Sequence, residues 1–136
     1  MKDLSHDILP KLISHQIDGI FPGENCILPY YEGFSLVNIP NTICSMLGSS
    51  QFGAQKLSST IIDHLADQYE NVIFLLADGV RLDFLRSFLN KSPWVDLMES
   101  AVFSPLTSIT PSTTSAALTS LWTGRHPGEH GIVGYE

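Results

Sequence analysis

The sequence predicts an α/β fold with a mainly parallel sheet, and two observations support this prediction. Residues 72–77 read Val-Ile-Phe-Leu-Leu-Ala, and a continuous apolar run of this kind is typical of a strand buried on both faces of a parallel sheet. Helix-like segments alternate with this strand and with a second one, an order typical of an α/β sandwich. Because ligands bind at the carboxyl ends of such strands, the residues after position 77 are the first candidates for a site.

The N-terminal third is expected to be rich in loops. A short helix is predicted over residues 10–16, with Pro10 in its first turn. Residues 18–34 contain several glycines and prolines and are interpreted as irregular connection. A second helix is predicted over residues 40–47, with Asn38 as its cap.

From residue 57 onward the pattern is more regular. Apolar residues on one helical face predict a helix over residues 57–69, with Ser58 or Ser59 as its cap. After the buried strand, the sequence predicts a helix over residues 82–89, a short strand over residues 101–103 and a helix over residues 114–122.

The composition is typical of a folded, acidic protein. Hydrophobic residues make up 43% of the 136 residues and charged residues 15%, so one domain with a real core is expected. The net charge of −7 argues against a nucleic-acid surface, which needs clustered Lys and Arg. The N-terminus lacks a signal-peptide pattern and no apolar run is long enough to span a bilayer. A cytoplasmic protein without a membrane partner is therefore expected.

The first chemical motif is Leu-Leu-Ala-Asp-Gly-Val-Arg at residues 75–81. Asp78 lies where the buried strand ends, and Gly79 lets the backbone turn sharply. A carboxylate at this position needs solvent, hydrogen bonds or a metal, and divalent cations bind Asp oxygens readily. The alternative is that Asp78 caps the next helix and interacts with its dipole. The motif alone leaves both interpretations open.

The second motif is a run of hydroxyl residues, Ser-Ile-Thr-Pro-Ser-Thr-Thr-Ser at residues 108–115, before a helix-forming run. Free N–H groups and the helix dipole make a helix start a natural phosphate site. A Thr at this place is a candidate nucleophile if a base or metal lowers its pKa; the alternative is an ordinary Ser/Thr cap. Together with Asp78, such a hydroxyl would form half of a metal-activated phosphoryl-transfer centre.

These motifs, followed by Thr-Gly-Arg-His-Pro-Gly-Glu-His-Gly at residues 123–131, resemble the type I phosphodiesterase/nucleotide pyrophosphatase family of the alkaline phosphatase superfamily. The resemblance covers roughly residues 70–136. It implies a three-layer alkaline-phosphatase-like sandwich with a mainly parallel sheet, of which this chain is the N-terminal portion only. We accordingly divide the chain into a loop-rich segment with short helices, residues 1–56, and the first part of a catalytic domain, residues 57–136.

The resemblance also implies roles for individual residues. In the family, the Asp of the first motif binds one of two zinc ions, so Asp78 is the expected metal ligand. The family's nucleophile lies ten residues before the Gly of the Thr-Gly pair, here Gly124, which corresponds to Thr114. Thr114 is thus expected both to bind the metal and to attack phosphorus, with Thr113 as the fallback nucleophile. His130 is expected to shape the loop after the helix.

Two departures from the family pattern matter. Nucleotide pyrophosphatases have an Asn three residues after the nucleophile, where this chain has Ala117, which argues against nucleotide substrates. The family's remaining carboxylate and histidine ligands lie further downstream. The 136-residue chain is therefore expected to be inactive alone, and the C-terminal portion of the domain is its expected partner. Two divalent metal ions, expected to be zinc, would be fully held only in the intact enzyme.

The function expected for the intact form is two-step hydrolysis of a small-molecule phosphoester, a diester or a monoester, through a Thr nucleophile. Two alternatives remain open. The first is a sulfatase- or mutase-like member of the superfamily that acts on another ester. The second is a truncated, non-catalytic domain that binds an anion at the helix start or associates with a partner.

Overall fold

The computed structural model describes residues 1–24, 26–89 and 99–135. The helices of this part of the chain are Ser5–Ser14 (α1), Ile39–Met46 (α2), Ser59–Ile62 (α3), Leu82–Leu89 (α4), Thr114–Thr123 (α5) and Pro127–His130 (α6). A 3₁₀ turn, Leu36–Asn38, leads directly into α2. The strands are Lys2–Asp3 (β1) and Val102–Phe103 (β2).

The two strands pair in parallel, with Lys2 opposite Val102 and Asp3 opposite Phe103. Further along, an isolated parallel bridge joins Ser35 to Thr107. This parallel pairing among helices is compatible with part of an α/β fold. The full three-layer sandwich stays a prediction.

Thr107 connects the N-terminal third to the segment that leads into α5. Its backbone N–H donates to Phe34 O (2.8 Å) and its carbonyl accepts from Leu36 N (3.0 Å). Its side-chain oxygen accepts from Tyr30 N (2.9 Å) and donates to Phe34 O (3.1 Å). Because Thr107 is buried, these hydrogen bonds are shielded from competing water.

The first core cluster forms on one face of α1. Leu4, Ile8 and Leu12 recur every fourth residue and pack with Phe34 and Ile61, as expected for one helical face. Burying each large side chain contributes roughly 1.5–3 kcal/mol. This cluster therefore attaches α1 to α3 and to the Thr107 contact.

The predicted start of the first helix was wrong. Helix α1 begins at Ser5, and Pro10 lies in its interior, where it cannot donate a helical hydrogen bond. Burial of Ile8 and Leu12 outweighs that local cost. The helix predicted over residues 40–47 is confirmed within one residue as α2.

Asn38 precedes α2 as predicted, but its side chain does not form the expected cap. Its amide oxygen accepts from Ser35 N (3.0 Å), and its amide nitrogen donates to the carbonyls of Tyr31 and Gln55 (both 2.9 Å). Asn38 is fully buried. It thus joins two loops to the start of α2.

The helix predicted over residues 57–69 is present only as α3. Ser58 caps it as predicted, its hydroxyl accepting from Thr60 N at 3.3 Å. The extension was wrong: α3 ends at Ile62, and further along the Tyr69 N–H donates to Met46 O at 2.8 Å, a contact with α2 and not with a preceding helical turn. Helices α4 and α5 and strand β2 are confirmed within a residue at each end.

The buried strand predicted over residues 72–77 was also wrong. Within the described ranges these residues belong to no strand, and Ile73 and Leu75 are 85% and 87% exposed. A parallel strand needs a neighbour along its edges and cover on both faces, and the described residues supply neither. Phe74, Leu76 and Ala77 line cavities beside α5.

None of the helices in the described ranges combines the length and hydropathy that a membrane crossing requires.

The loop at residues 52–54 lies against the end of α5. Ala54 N donates to Gly124 O at 2.6 Å. Gly53 has φ = +67°, and a Cβ at that position would overlap the backbone carbonyl of Gly124. Both the backbone angle and the close contact therefore require glycine at position 53.

We predict that Gly53→Ala lowers the free energy of unfolding by about 2–5 kcal/mol, because it adds overlap with the Gly124 carbonyl to the cost of a positive φ. Gly48→Ala is the matched control: Gly48 has φ = +66° and open space around its Cα, so only ~1–2 kcal/mol is expected. Urea unfolding of both variants measures the difference. Equal losses would contradict the steric role of the Gly53 contact.

Asp3 joins α4 to β1. Arg86 Nη2 donates to Asp3 Oδ2 at 3.0 Å, and Ser5 N donates to Asp3 Oδ1 at 2.8 Å. Ser5, which lies next to the carboxylate, and then Arg86 lower the pKa of Asp3 below its ordinary value.

We predict that the stabilisation from the Asp3 carboxylate depends on pH. Because the folded-state pKa is lowered, this contribution is complete above the ordinary Asp pKa of about 3.9 and is lost as the pH falls through the lowered folded value. The difference in free energy of unfolding between wild type and Asp3→Asn should therefore shrink below about pH 4. Urea unfolding at a series of pH values measures it. A difference that stays constant throughout acidification would contradict the prediction.

Candidate functional site

The start of α5 separates two adjacent threonines. Thr113 is the N-cap residue, with an extended backbone, and its side-chain oxygen accepts from Ala116 N at 3.4 Å. Thr114 is the first helical residue. Within the described part of the chain, no hydrogen bond engages the Thr114 hydroxyl. One threonine therefore caps the helix, and the other presents its hydroxyl.

The loop before α5 is fixed to the core. Thr110 N donates to the phenol oxygen of Tyr31 at 3.1 Å, and Ser35 Oγ donates to Ser108 O at 3.3 Å. Ile109 is buried and packs with Val37 and Ala116 in a second core cluster. These contacts hold the hydroxyl-bearing loop in place relative to the helix.

A cavity of about 360 Å³ lies beside the start of α5. Its polar lining consists of Asp78, Ser108, Ser112 and Thr114. Its apolar lining consists of Leu36, Leu76, Ala77, Ala117, Leu118 and Leu121. The volume is within the range of small-molecule sites. The structure thus brings Asp78 and Thr114 to the same cavity, and their chemical roles stay predictions.

Asp78 follows the apolar run of residues 72–77 and is exposed. Its Oδ1 accepts a hydrogen bond from the N–H of Gly79 at 2.8 Å, and Gly79 has φ = +71°. The turn predicted at Asp-Gly is therefore present. The second carboxylate oxygen of Asp78 has no protein hydrogen bond within the described ranges.

The residues that the structure describes do not supply a full ligand set for the expected pair of zinc ions. Across residues 1–24, 26–89 and 99–135, no three His, Cys, Asp or Glu side chains come together in a metal-binding arrangement. Asp78 and Thr114 offer oxygen donors of a suitable type, but catalytic zinc normally takes three protein ligands.

The two histidines after α5 hold the following turn together. His130 Nδ1 accepts from Ile132 N at 3.1 Å, and its Nε2 lies 3.0 Å from the hydroxyl oxygen of the buried Ser120. A neutral ring that accepts at Nδ1 carries its proton on Nε2 and donates it to Ser120. These contacts agree with the structural role expected for His130. The ring of His126 packs edge-on against Tyr31, with centroids 4.4 Å apart.

Residues 72–136 match the family model described as type I phosphodiesterase / nucleotide pyrophosphatase. This segment is a little under half of the chain and contains both Asp78 and Thr114. The match confirms the resemblance predicted from the motifs, and it is consistent with part of a domain. At the level of the family, it indicates a phosphoester hydrolase. No curated protein and no solved structure gave a significant match.

Sequence reasoning did not identify Tyr31 or Leu36 as neighbours of the site. Tyr31 contacts both Thr110 and His126, and Leu36 lines the cavity. Both lie in the loop-rich N-terminal segment, residues 1–56, far from the motifs along the chain. No local pattern marks them, because their positions depend on the long-range pairing at Thr107.

We predict that Thr113→Ala and Thr114→Ala differ in their effect on stability. Loss of the Thr113 cap should lower the free energy of unfolding by ~0.5–1 kcal/mol. Thr114→Ala should change it by no more than about 0.5 kcal/mol, because the removed hydroxyl engages no described partner. Urea unfolding of the two variants is a matched comparison of adjacent threonines. The reverse order would mean that Thr114 is the capping residue.

Proposed function

We propose that this chain carries part of the catalytic centre of a metal-dependent phosphoester hydrolase with Thr114 as the nucleophile. The observation that carries the proposal is that Asp78 and the unengaged hydroxyl of Thr114 line one cavity. The family match over residues 72–136 supports the reaction class. The N-cap role of Thr113 favours Thr114 over the fallback residue.

The chemistry follows from the position of Thr114 at a helix start. Free N–H groups of the first turn and the helix dipole favour a phosphoryl group next to the hydroxyl. The Thr114 oxygen would form a bond to phosphorus as the bond between phosphorus and the leaving oxygen breaks, and the proton lost by Thr114 would end on the departing alcohol. Water would then cleave the phosphothreonine and release phosphate or a phosphomonoester.

Metal ions would assist this centre in the intact protein. Divalent metals polarise phosphoryl oxygens and lower the pKa of bound hydroxyls and water. Asp78 and Thr114 would supply two of the ligands for a pair of ions, proposed to be zinc. The other ligands would come from a further portion of the domain, so we propose that catalysis requires a longer form than the 136 residues.

The proposed substrate is a small-molecule phosphoester, a diester or a monoester. Ala117 lines the cavity three residues after Thr114, and its methyl group cannot hydrogen-bond a phosphate oxygen. The nucleotide pyrophosphatases of the family resembled have an Asn at this position. The replacement of that Asn by Ala117 favours substrates other than nucleotides. The cytoplasmic location stays a prediction.

We predict that Thr114→Ala lowers kcat of the longer form about 10³-fold or more, as expected when a nucleophile is removed, whereas Thr113→Ala retains activity. Asp78→Asn should also lower kcat and should raise the metal concentration needed for activity. Hydrolysis of p-nitrophenyl phosphate and bis(p-nitrophenyl) phosphate, with and without a chelator, measures these effects.

The controls separate the proposal from its alternatives. Near wild-type activity of Thr114→Ala would exclude Thr114 as the nucleophile. Preferential cleavage of p-nitrophenyl sulfate would indicate a sulfatase-like enzyme. Zinc-dependent hydrolysis by the 136-residue chain would contradict the need for further ligands.

A further inference from the structure

The loop after α6 runs back along α5 toward the candidate site. His130, the last residue of α6, places its Nε2 3.0 Å from the hydroxyl oxygen of Ser120, in the last turn of α5. Further along the chain, the carbonyl of Gly134 accepts from Ser115 Oγ at 2.8 Å, in the first turn of the same helix. We name residues 131–134 the strap, because they reach from the last turn of α5 to its first.

Hydrogen bonds hold the strap in place, and apolar burial adds little. Within the described residues, the hydrogen bonds of residues 132–134 are at Ile132 N, which donates to His130 Nδ1 at 3.1 Å, and at the Gly134 carbonyl. Ile132 and Val133 are 42% and 58% exposed, so the strap buries little apolar surface. Loss of the bond at Ile132 therefore leaves the strap held by the carbonyl contact alone.

The contact at Ile132 requires a neutral imidazole. A backbone N–H can only donate, so Nδ1 of His130 carries no proton and the ring proton lies on Nε2. A second proton, taken up at Nδ1, would point one N–H group at the N–H of Ile132, and neither group can accept. The protonated ring therefore keeps its contact with Ser120 and loses the contact with Ile132.

The groups around this ring that change charge near neutral pH are few. Helix α5, against which α6 packs, contains no charged side chain. The other titratable groups of α6 and its flanking residues are Arg125, His126, Glu129 and Tyr135. The Glu129 carboxylate accepts from His126 N at 2.8 Å, and the His126 ring packs against Tyr31. Imidazoles change charge between about pH 5 and 8, and of these two histidines it is His130 that hydrogen-bonds the strap.

We propose that the strap is a pH-sensitive device, bound to the first turn of α5 while His130 is neutral and released when its ring is protonated. Ser115, which holds the far end of the strap, directly follows Thr114. Release of the strap therefore uncovers one side of the start of α5. The device uses neither Asp78 nor the Thr114 hydroxyl, so it does not depend on the proposed hydrolase function.

Nuclear magnetic resonance of the 136-residue chain between about pH 5 and 8 tests the proposal without any variant. The ring signals of His130 and the amide signals of Ile132 and Tyr135 should shift with one common midpoint. The protection factor of the Ile132 amide in hydrogen exchange should fall about tenfold as the ring is protonated, as expected for the loss of one hydrogen bond. Protection that stays constant across the titration of His130, or that follows the ring signals of His126, would overturn the proposal.

Two substitutions of His130 separate its hydrogen bond from its charge. In His130→Asn, the amide oxygen can accept from Ile132 N as Nδ1 does, but the side chain does not titrate. Protection of the Ile132 amide should then be independent of pH. In His130→Ala the acceptor is absent, and protection should be low at every pH.

His6→Asn is the matched control, because the side chain of His6 is fully exposed on α1. This variant should keep the pH dependence of the wild-type chain. A pH dependence of Ile132 protection that persists in His130→Asn, or that disappears in His6→Asn, would overturn the proposal. Wild-type protection of Ile132 in His130→Ala would overturn it as well.

Discussion

The pairing of Thr107 with the chain around Phe34 is the contact on which the other parts of the molecule depend. It joins residues more than seventy positions apart through backbone and side-chain hydrogen bonds. Phe34 belongs to the core cluster on α1, and Val37 belongs to the cluster that holds Ile109 and α5. The buried Thr107 thus links both core clusters. The position of the loop before α5 depends on the hydrogen bonds of Thr107.

Local signals in the sequence predicted the elements that local interactions control. Helices α4 and α5 begin and end within a residue of their predicted bounds, because apolar spacing and caps determine short helices. The predictions failed where distant contacts decide. The Tyr69 N–H donates to Met46 O and not to a preceding helical turn, and the segment at Ile73 has no neighbour in the described chain to complete a strand.

The sequence predicted which residues lie at the candidate site, but not which of the two threonines caps α5. Asp78 and Thr114 follow from the resemblance of the motifs to the family, and both line the same cavity. The distinction between Thr113 and Thr114 requires the geometry of the helix start, where only the hydroxyl of Thr113 caps the helix. Tyr31 was not predictable, since a phenol in a loop carries no local signal of its contact with Thr110.

The close approach of Gly53 to Gly124 has a consequence for how this sequence can vary. A side chain at position 53 would meet the main-chain carbonyl of residue 124, an atom that every amino acid has. No replacement at position 124 can make room for it, so a compensating second substitution does not exist within the pair. Position 53 therefore accepts only glycine as long as the loop and the end of α5 remain in place.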